Sequence, residues 1–132
     1  MKEFTSIRIP GAKFFDVDSI CDKKSNLPHM LPSAEFFSQE ISSMGISNGD
    51  PIIVYATKGC FSAPRVWWTF QVFNHENIAI LDGGLEEWIK EGGPTENGDN
   101  KLNVFPGNFT AYFNDKFVVI NFILNRIHRF LK

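Results

Sequence analysis

The sequence lacks the features that mark several large classes of protein. Its 132 residues include two cysteines, Cys21 and Cys60, and three scattered histidines. Two cysteines without a secretory signal form neither a disulfide framework nor a zinc site, so no metal site is predicted. No apolar run reaches the roughly 18 residues that span a bilayer. We therefore expect no membrane partner, and no cofactor is predicted.

An excess of charge of one sign is also missing. The formal net charge is -2 and the pI is about 5.9, so nothing electrostatic favours nucleic acid as a partner. Residues 1–11 lack the apolar segment of a signal peptide, and no targeting segment is recognised. We expect a cytoplasmic or mitochondrial protein. Hydrophobic residues make up 43% of the chain, which is typical of one folded domain.

Composition divides the chain into a body (residues 5–92), a linker (93–108) and a tail (109–132). The linker is rich in Gly and Asn and contains two Pro, which is typical of connecting segments. From Val104 onwards the chain carries six of its fourteen phenylalanines, which is unusual for a solvated end. We expect this end to pack on the body or on a partner.

The body alternates apolar runs with helical patterns. Ser33 is a good helix N-cap, and Phe37 and Ile41 begin an apolar stripe at helical spacing that ends at Gly45. Further helices are predicted from Ser62 and from Leu85. The predicted strands are Ala12–Asp18, Pro51–Ala56 and Asn77–Leu81, of which the last two have the composition of strands buried on both faces. Strands that alternate with helices predict an α/β fold with a parallel sheet.

The loop after Pro51–Ala56 is where a parallel sheet places its ligands, beyond the carboxyl end of a strand and before a helix N-terminus. Its residues are Ala56, Thr57, Lys58, Gly59, Cys60 and Phe61. Cys60 is the candidate nucleophile, and the alternative is a small thiol without a role. Cys60 and Arg65 also resemble the phosphate loop of cysteine phosphatases, but that loop has one more residue between them than the four found here.

Three runs carry a resemblance to a known family. Arg8–Ser33 (RIPGAKFFDVDSICDKKSNLPHMLPS), Gly49–His75 (GDPIIVYATKGCFSAPRVWWTFQVFNH) and Ile80–Trp88 (ILDGGLEEW) resemble the N-terminal half of tandem rhodanese-domain sulfurtransferases of the 3-mercaptopyruvate or thiosulfate type. The resemblance implies a five-stranded parallel sheet flanked by helices, repeated twice. Only seven residues precede Arg8, so we expect the first strand to be missing, and the tail resembles the start of the second repeat.

The resemblance also implies an activity and a set of partners. The family takes sulfur from a small donor as a persulfide and passes it to a thiol, such as thioredoxin, or to cyanide. The cysteine lies on the second rhodanese domain, which this chain would need as a partner. In the mercaptopyruvate enzymes an Asp and a His from the motifs FFD-x-D and HMLP form a proton relay, and these correspond to Asp18 and His29.

Ala56 occupies the position that matches the catalytic cysteine, and an alanine accepts no sulfur. This favours a second hypothesis, a catalytically silent module used for folding support, regulation or binding. A third hypothesis makes Cys60 itself a sulfur or redox carrier. Arg65 is expected to form an ion pair or a carbonyl contact. Of the adjacent pair Trp67 and Trp68, one ring should face a neighbour, because a helix cannot turn both inward.

Overall fold

The computed structural model describes residues 2–98 and 105–118. Within them the elements are α1 (Lys2–Ser6), α2 (Ala34–Ser43), β1 (Ile52–Val54), α3 (Ser62–Val72), β2 (Ile78–Ile80), α4 (Gly84–Lys90) and a 3-10 helix (Asp115–Phe117). Residues 99–104 of the predicted linker and residues 119–132 of the predicted tail lie outside the described residues.

Helix α2 forms for the reasons that its sequence indicates. The hydroxyl of Ser33 accepts a hydrogen bond from the backbone N–H of Phe36 at 3.2 Å, which satisfies one of the unpaired donors of the first turn. Phe37 and Ile41 are fully buried, one turn apart on the inner face. Gly45 adopts a φ of +73° just beyond the last turn, where glycine avoids the steric cost of a side chain. The predicted helix is confirmed.

The two strands pair in parallel, with Ile52 opposite Ile78 and Val54 opposite Ile80. The predicted α/β class is confirmed. The expectation that both strands are buried on both faces is wrong, because Ile53 is 60% exposed and Ile80 is 41% exposed. Within the described chain α3 is the helix that packs against both strands, so it covers one face of the sheet.

The predicted strand at Ala12–Asp18 is also wrong. Residues 12–16 pair with no strand, and a turn follows them. The apolar pattern reflects burial, since Phe15 packs against Phe37 and Phe70. The centroid of its ring lies 6.4 Å from that of Phe37 and 6.1 Å from that of Phe70. An extended segment becomes a strand only where a neighbouring strand pairs with it, and neither β1 nor β2 pairs with this one.

The core lies between α2, α3 and the inner face of the sheet. Aromatic rings dominate it: Phe37 stacks on Phe73 at 4.5 Å and meets the edges of Phe70 and Phe109 at 5.1 and 5.8 Å. Ring pairs in these geometries stabilise a core beyond the area that they bury. The core therefore joins residues from the body with Phe109, which lies beyond the predicted linker.

Residues 105–118 pack along α2 and the C-terminal part of α3. The Ser42 hydroxyl accepts from the N–H of Phe109 at 3.0 Å, and the Ser38 hydroxyl accepts from the N–H of Ala111 at 2.9 Å. Asn48 exchanges two hydrogen bonds with the backbone of Thr110, at 2.7 and 2.9 Å. The described part of the Phe-rich end thus packs on the body. Its assignment to a second repeat stays a prediction.

One edge of the small sheet is open. β1 pairs with β2 on one side, and within the described residues no strand lies on its other side. A groove of about 470 Å³ lies beside β1, and its lining also includes residues 11–15 and residues of α1. The described residues hold two strands, fewer than the five that the resemblance implies. No helix in this part of the chain is long and apolar enough to cross a bilayer.

Candidate functional site

Two loops carry the predicted site residues. Residues 16–29, which we call the Asp-His loop, hold Asp18 and His29. Residues 56–61, which we call the Cys60 loop, connect β1 to α3. In a parallel sheet this end of a strand is where ligands and catalytic groups collect.

Local hydrogen bonds shape the Asp-His loop. The carboxylate of Asp16 accepts from the N–H of Asp18 at 3.0 Å and from the hydroxyl of Ser19 at 2.6 Å. The Ser19 hydroxyl, supported by the backbone N–H groups, lowers the pKa of Asp16 from its usual value. The carbonyl of Asp18 accepts from Cys21 Sγ at 3.2 Å and from Lys23 Nζ at 2.5 Å. These contacts fix the backbone that carries Asp18.

The imidazole of His29 lies beside the carboxylate of Asp18. His29 Nδ1 is 3.3 Å from Asp18 Oδ1 and 3.4 Å from the carbonyl oxygen of Val17. Both neighbours are acceptors, so they favour the tautomer that carries its proton on Nδ1 and leaves Nε2 as the acceptor. The side chains of His29 and Asp18 are 47% and 79% exposed. The structure therefore brings the two predicted relay residues together at an open surface.

Arg65 connects α3 to the Asp-His loop. Its Nη2 donates to the carbonyl oxygen of His29, which confirms the predicted carbonyl contact. The guanidinium lies over the indole of Trp68, three residues further along the same helix face, with Cζ 4.6 Å from the ring centroid. Burial lowers the pKa of Arg65 from its usual value, but arginine stays charged in proteins. The Trp68 indole N–H in turn donates to the carbonyl of Phe117 at 2.9 Å.

The Cys60 loop is exposed and turns on itself. The N–H of Cys60 donates to the carbonyl of Thr57 at 3.0 Å, and Gly59 has a φ of +83°. The thiol of Cys60 lies 3.1 Å from the hydroxyl of Ser62. Cys60 is exposed, and this partner at the start of α3 is a neutral hydroxyl.

A glutamate fills part of the place where this loop would cradle an anion. Glu86 Oε1 accepts from the backbone N–H of Lys58 at 2.6 Å. The start of α4 is drawn to the loop, since the N–H of Leu85 donates to the carbonyl of Ala56 at 3.2 Å. A Cβ on Gly84 would lie 2.4 Å from that carbonyl oxygen, so only glycine permits this approach.

Glu86 is a site residue that the sequence reasoning missed. The signal for it was available: β1 and β2 are parallel neighbours, so the segments that follow them must meet at one edge. Glu86 follows β2 by six residues, and the Cys60 loop follows β1 directly. An acidic side chain in the first turn of α4 was therefore placed to reach the loop.

The two loops face different cavities in the described part of the chain. His29 and Arg65 line a small pocket against Phe15 and Thr69, whereas Cys60 lines the groove beside β1. Among residues 2–98 and 105–118 no three His, Cys, Asp or Glu side chains cluster as metal ligands. The chemistry that these residues can perform is thus proton transfer at His29 and thiol chemistry at Cys60, at separate places.

Comparison with known proteins shows the family to which this chain belongs. The profile of the Rhodanese-like domain family matches residues 2–91. The mitochondrial thiosulfate/3-mercaptopyruvate sulfurtransferase 1 of Arabidopsis thaliana is 51% identical over 92 residues, which is 70% of this chain and 24% of that protein. Human 3-mercaptopyruvate sulfurtransferase is 38% identical over 119 residues, or 89% of this chain and 39% of the relative.

A solved structure agrees with the sequence relatives. The crystal structure of the 3-mercaptopyruvate sulfotransferase SseA from Escherichia coli superposes with a TM-score of 0.86 at 38% identity, covering 96% of this chain and 48% of the other. The chain thus spans less than half the length of these relatives. It belongs to the rhodanese-like domain family, and its relatives are 3-mercaptopyruvate and thiosulfate sulfurtransferases.

Proposed function

We propose that this domain supplies a proton relay, Asp18 and His29, to a sulfurtransferase whose sulfur-carrying cysteine lies on a second rhodanese domain. The sulfur donor is 3-mercaptopyruvate or thiosulfate, and the acceptor is a thiol, such as thioredoxin, or cyanide. The single observation that carries the proposal is the 3.3 Å approach of His29 Nδ1 to Asp18 Oδ1. The names of the relatives support the donor class, and one mitochondrial relative supports the mitochondrion beside the cytoplasm as a location.

The chemistry of 3-mercaptopyruvate requires a proton to move. A thiolate of the second domain attacks the sulfur of the donor, and the carbon–sulfur bond breaks with its electron pair going to the methylene carbon. A proton taken up at that carbon gives pyruvate, while the sulfur remains on the enzyme as a persulfide. An imidazole whose Nδ1–H is held by a carboxylate can accept and release this proton through Nε2.

The Cys60 loop supports the division of labour between two domains. Ala56 offers no nucleophile at the matching position, and the amide of Lys58 already binds the carboxylate of Glu86 at 2.6 Å. A negative charge beside the loop opposes both a thiolate and an anionic donor there. The same two features favour the alternative function, a catalytically silent module that binds or regulates a partner.

A chimera tests the relay. The body of this chain replaces the matching first half of the Escherichia coli enzyme, which it resembles in structure. His29→Gln should lower mercaptopyruvate turnover about 100-fold, the range expected for a lost general acid–base group, and Asp18→Asn should lower it less. Asp22→Asn is the matched control, because it removes a carboxylate from the same loop without touching His29. Turnover that survives His29→Gln unchanged disproves the relay.

The isolated chain tests the role of Cys60. Incubation with thiosulfate and cyanide, or with 3-mercaptopyruvate and a dithiol, should give no turnover above a buffer blank. Intact mass spectrometry should find no added sulfur atom on the chain. Turnover that disappears in Cys60→Ala would instead establish Cys60 as a sulfur carrier and overturn the two-domain division.

A further inference from the structure

His29 has an unusual backbone. Its φ is +55°, in the left-handed region that side chains with a Cβ rarely adopt. Such a residue costs roughly 1 kcal/mol or more, and it persists where the surroundings hold it in place. The direction of the Cα–Cβ bond, and with it the position of the imidazole, depends on keeping this conformation.

One side chain from another element holds that backbone. Arg65 Nη2 donates to the carbonyl oxygen of His29 across 36 residues of sequence. The guanidinium is held in turn by the Trp68 indole, over whose ring it lies at 4.6 Å. Since α3 packs in the core through Val66 and Phe70, the contact ties the Asp-His loop to the core of the described chain.

We propose that Arg65 is a positioning residue for the relay: it fixes the left-handed backbone of His29 so that Nδ1 faces Asp18, and Trp68 orients its guanidinium. This inference rests on the proposed function of the Asp18 and His29 pair. The two contacts of Nδ1, at 3.3 and 3.4 Å, are at the long end of the hydrogen-bond range, so a small backbone rotation breaks them.

Arg65 acts through a carbonyl group and not as a counter-ion. Within the described residues the carboxylate of Asp18 lies against His29, and it forms no ion pair with Arg65. The planar, stacked shape of the guanidinium should therefore matter more than its charge. Arg65→Lys keeps the charge but loses the planar group, and it separates the two contributions.

The test measures the tautomer of His29 in this chain itself. Imidazole ¹⁵N shifts, recorded at about pH 8 where histidines are mostly neutral and assigned with His29→Gln, give the ratio of Nδ1–H to Nε2–H forms. The Nδ1–H form should dominate in the parent. The ratio of Nδ1–H to Nε2–H forms should fall roughly fivefold in Arg65→Met and in Arg65→Lys, which is the equivalent of losing one hydrogen bond. In Trp68→Leu it should fall roughly twofold. Lys24→Met, which removes an exposed cation from the same loop, should leave it unchanged.

The outcomes separate the positioning role of Arg65 from the relay itself. If the parent shows no preference for Nδ1–H and Asp18→Asn changes nothing, the relay itself fails. If the preference collapses in Asp18→Asn but survives in Arg65→Met, the relay stands and the positioning role of Arg65 is wrong. A ratio fully restored in Arg65→Lys also overturns the proposal, because charge alone would then suffice. The backbone amide spectrum of α2 shows whether each variant is folded. Trp68→Leu tests the positioning role with Arg65 still present.

Discussion

The Asp-His loop and the Cys60 loop both reach the N-terminal end of α3, yet they are built in opposite ways. The Asp-His loop contains the buried Ile20 and is tied down by side-chain hydrogen bonds and by Arg65. In the Cys60 loop residues 58–61 are all exposed, and Phe61 is 88% exposed. The loop with the thiol therefore has few contacts that hold its side chains, whereas the loop with the imidazole is held by contacts to its backbone.

This difference bears on our proposal that the domain contributes a proton relay and not a nucleophile. Thiol chemistry needs an amide cradle, and here a carboxylate from α4 accepts one of the amides of the Cys60 loop. A proton relay needs only one well-placed imidazole and a carboxylate behind it. The contact between Asp18 and His29 has this form, and it is the reason why we propose a relay.

The largest expected effect comes from matched apolar truncations in the two loops. Ile20→Ala removes a side chain that is 8% exposed and part of the core, so the free energy of unfolding should fall by about 2–4 kcal/mol. Phe61→Ala removes a larger but exposed side chain and should change it by less than about 0.5 kcal/mol. Urea unfolding measures both, and equal losses would show that the two loops are anchored alike.

The two cysteines report on the same contrast, since each loop holds one. Cys60 is exposed, whereas Cys21 is half-buried and its thiol donates to the carbonyl of Asp18. Iodoacetamide should therefore alkylate Cys60 about tenfold faster than Cys21. Peptide mapping by mass spectrometry after short exposures gives both rates. Similar rates would mean that the Asp-His loop opens as freely as the Cys60 loop.

Glu86→Ala should loosen the Cys60 loop alone. The variant loses the charged acceptor of the Lys58 N–H, and for an exposed bond of this kind we expect a loss of about 1 kcal/mol and a roughly fivefold faster exchange of that amide. The Asp-His loop should be unaffected. Glu91→Ala, at the other end of α4, is the control. If the amides around Asp18 also exchange faster in Glu86→Ala, the loops are coupled.

The smallest effect is a dependence of the Asp-His loop on acid. Asp16 has a lowered pKa in the fold because its carboxylate accepts from Ser19 and from the backbone of Asp18. A lowered pKa means that this stabilisation is complete above the pKa of the unfolded chain, about 3.9, and is lost as the pH falls through the lower value of the folded state. The side-chain carboxyl ¹³C shift of Asp16 should follow this titration. In Asp16→Asn the titration should be absent.

The sequence predicted much of the fold because several of its signals are local. The Ser33 cap, the stripe of Phe37 and Ile41 and the glycine after them act over neighbouring turns, and α2 formed as they indicate. The prediction failed at Ala12–Asp18 and at the outer faces of β1 and β2. In those places the outcome depends on which distant backbone or helix lies alongside, and apolar composition does not carry that information.

The candidate site divides in the same way. The motifs around Asp18 and His29 identified the pair, but the left-handed backbone of His29 and its bond to Arg65 depend on where α3 packs. Glu86 was missed because it lies 28 residues from Lys58 in the sequence. The two residues meet only when β1 and β2 have paired. Both contacts connect elements that are distant in sequence.

The sequence by itself determined the family, the α/β class, the Ser33 cap of α2 and the absence of a cysteine at position 56, since each is written in local motifs and residue identities. Tertiary structure alone decided that Asp18 meets His29, that Arg65 holds the backbone of that histidine and that Glu86 binds the Cys60 loop. The contact of Arg65 depends on where α3 packs against the sheet, and that of Glu86 depends on the approach of α4 to the Cys60 loop. Such packing is a property of the whole folded chain, because each contact is stable only when the elements that carry it are already in place.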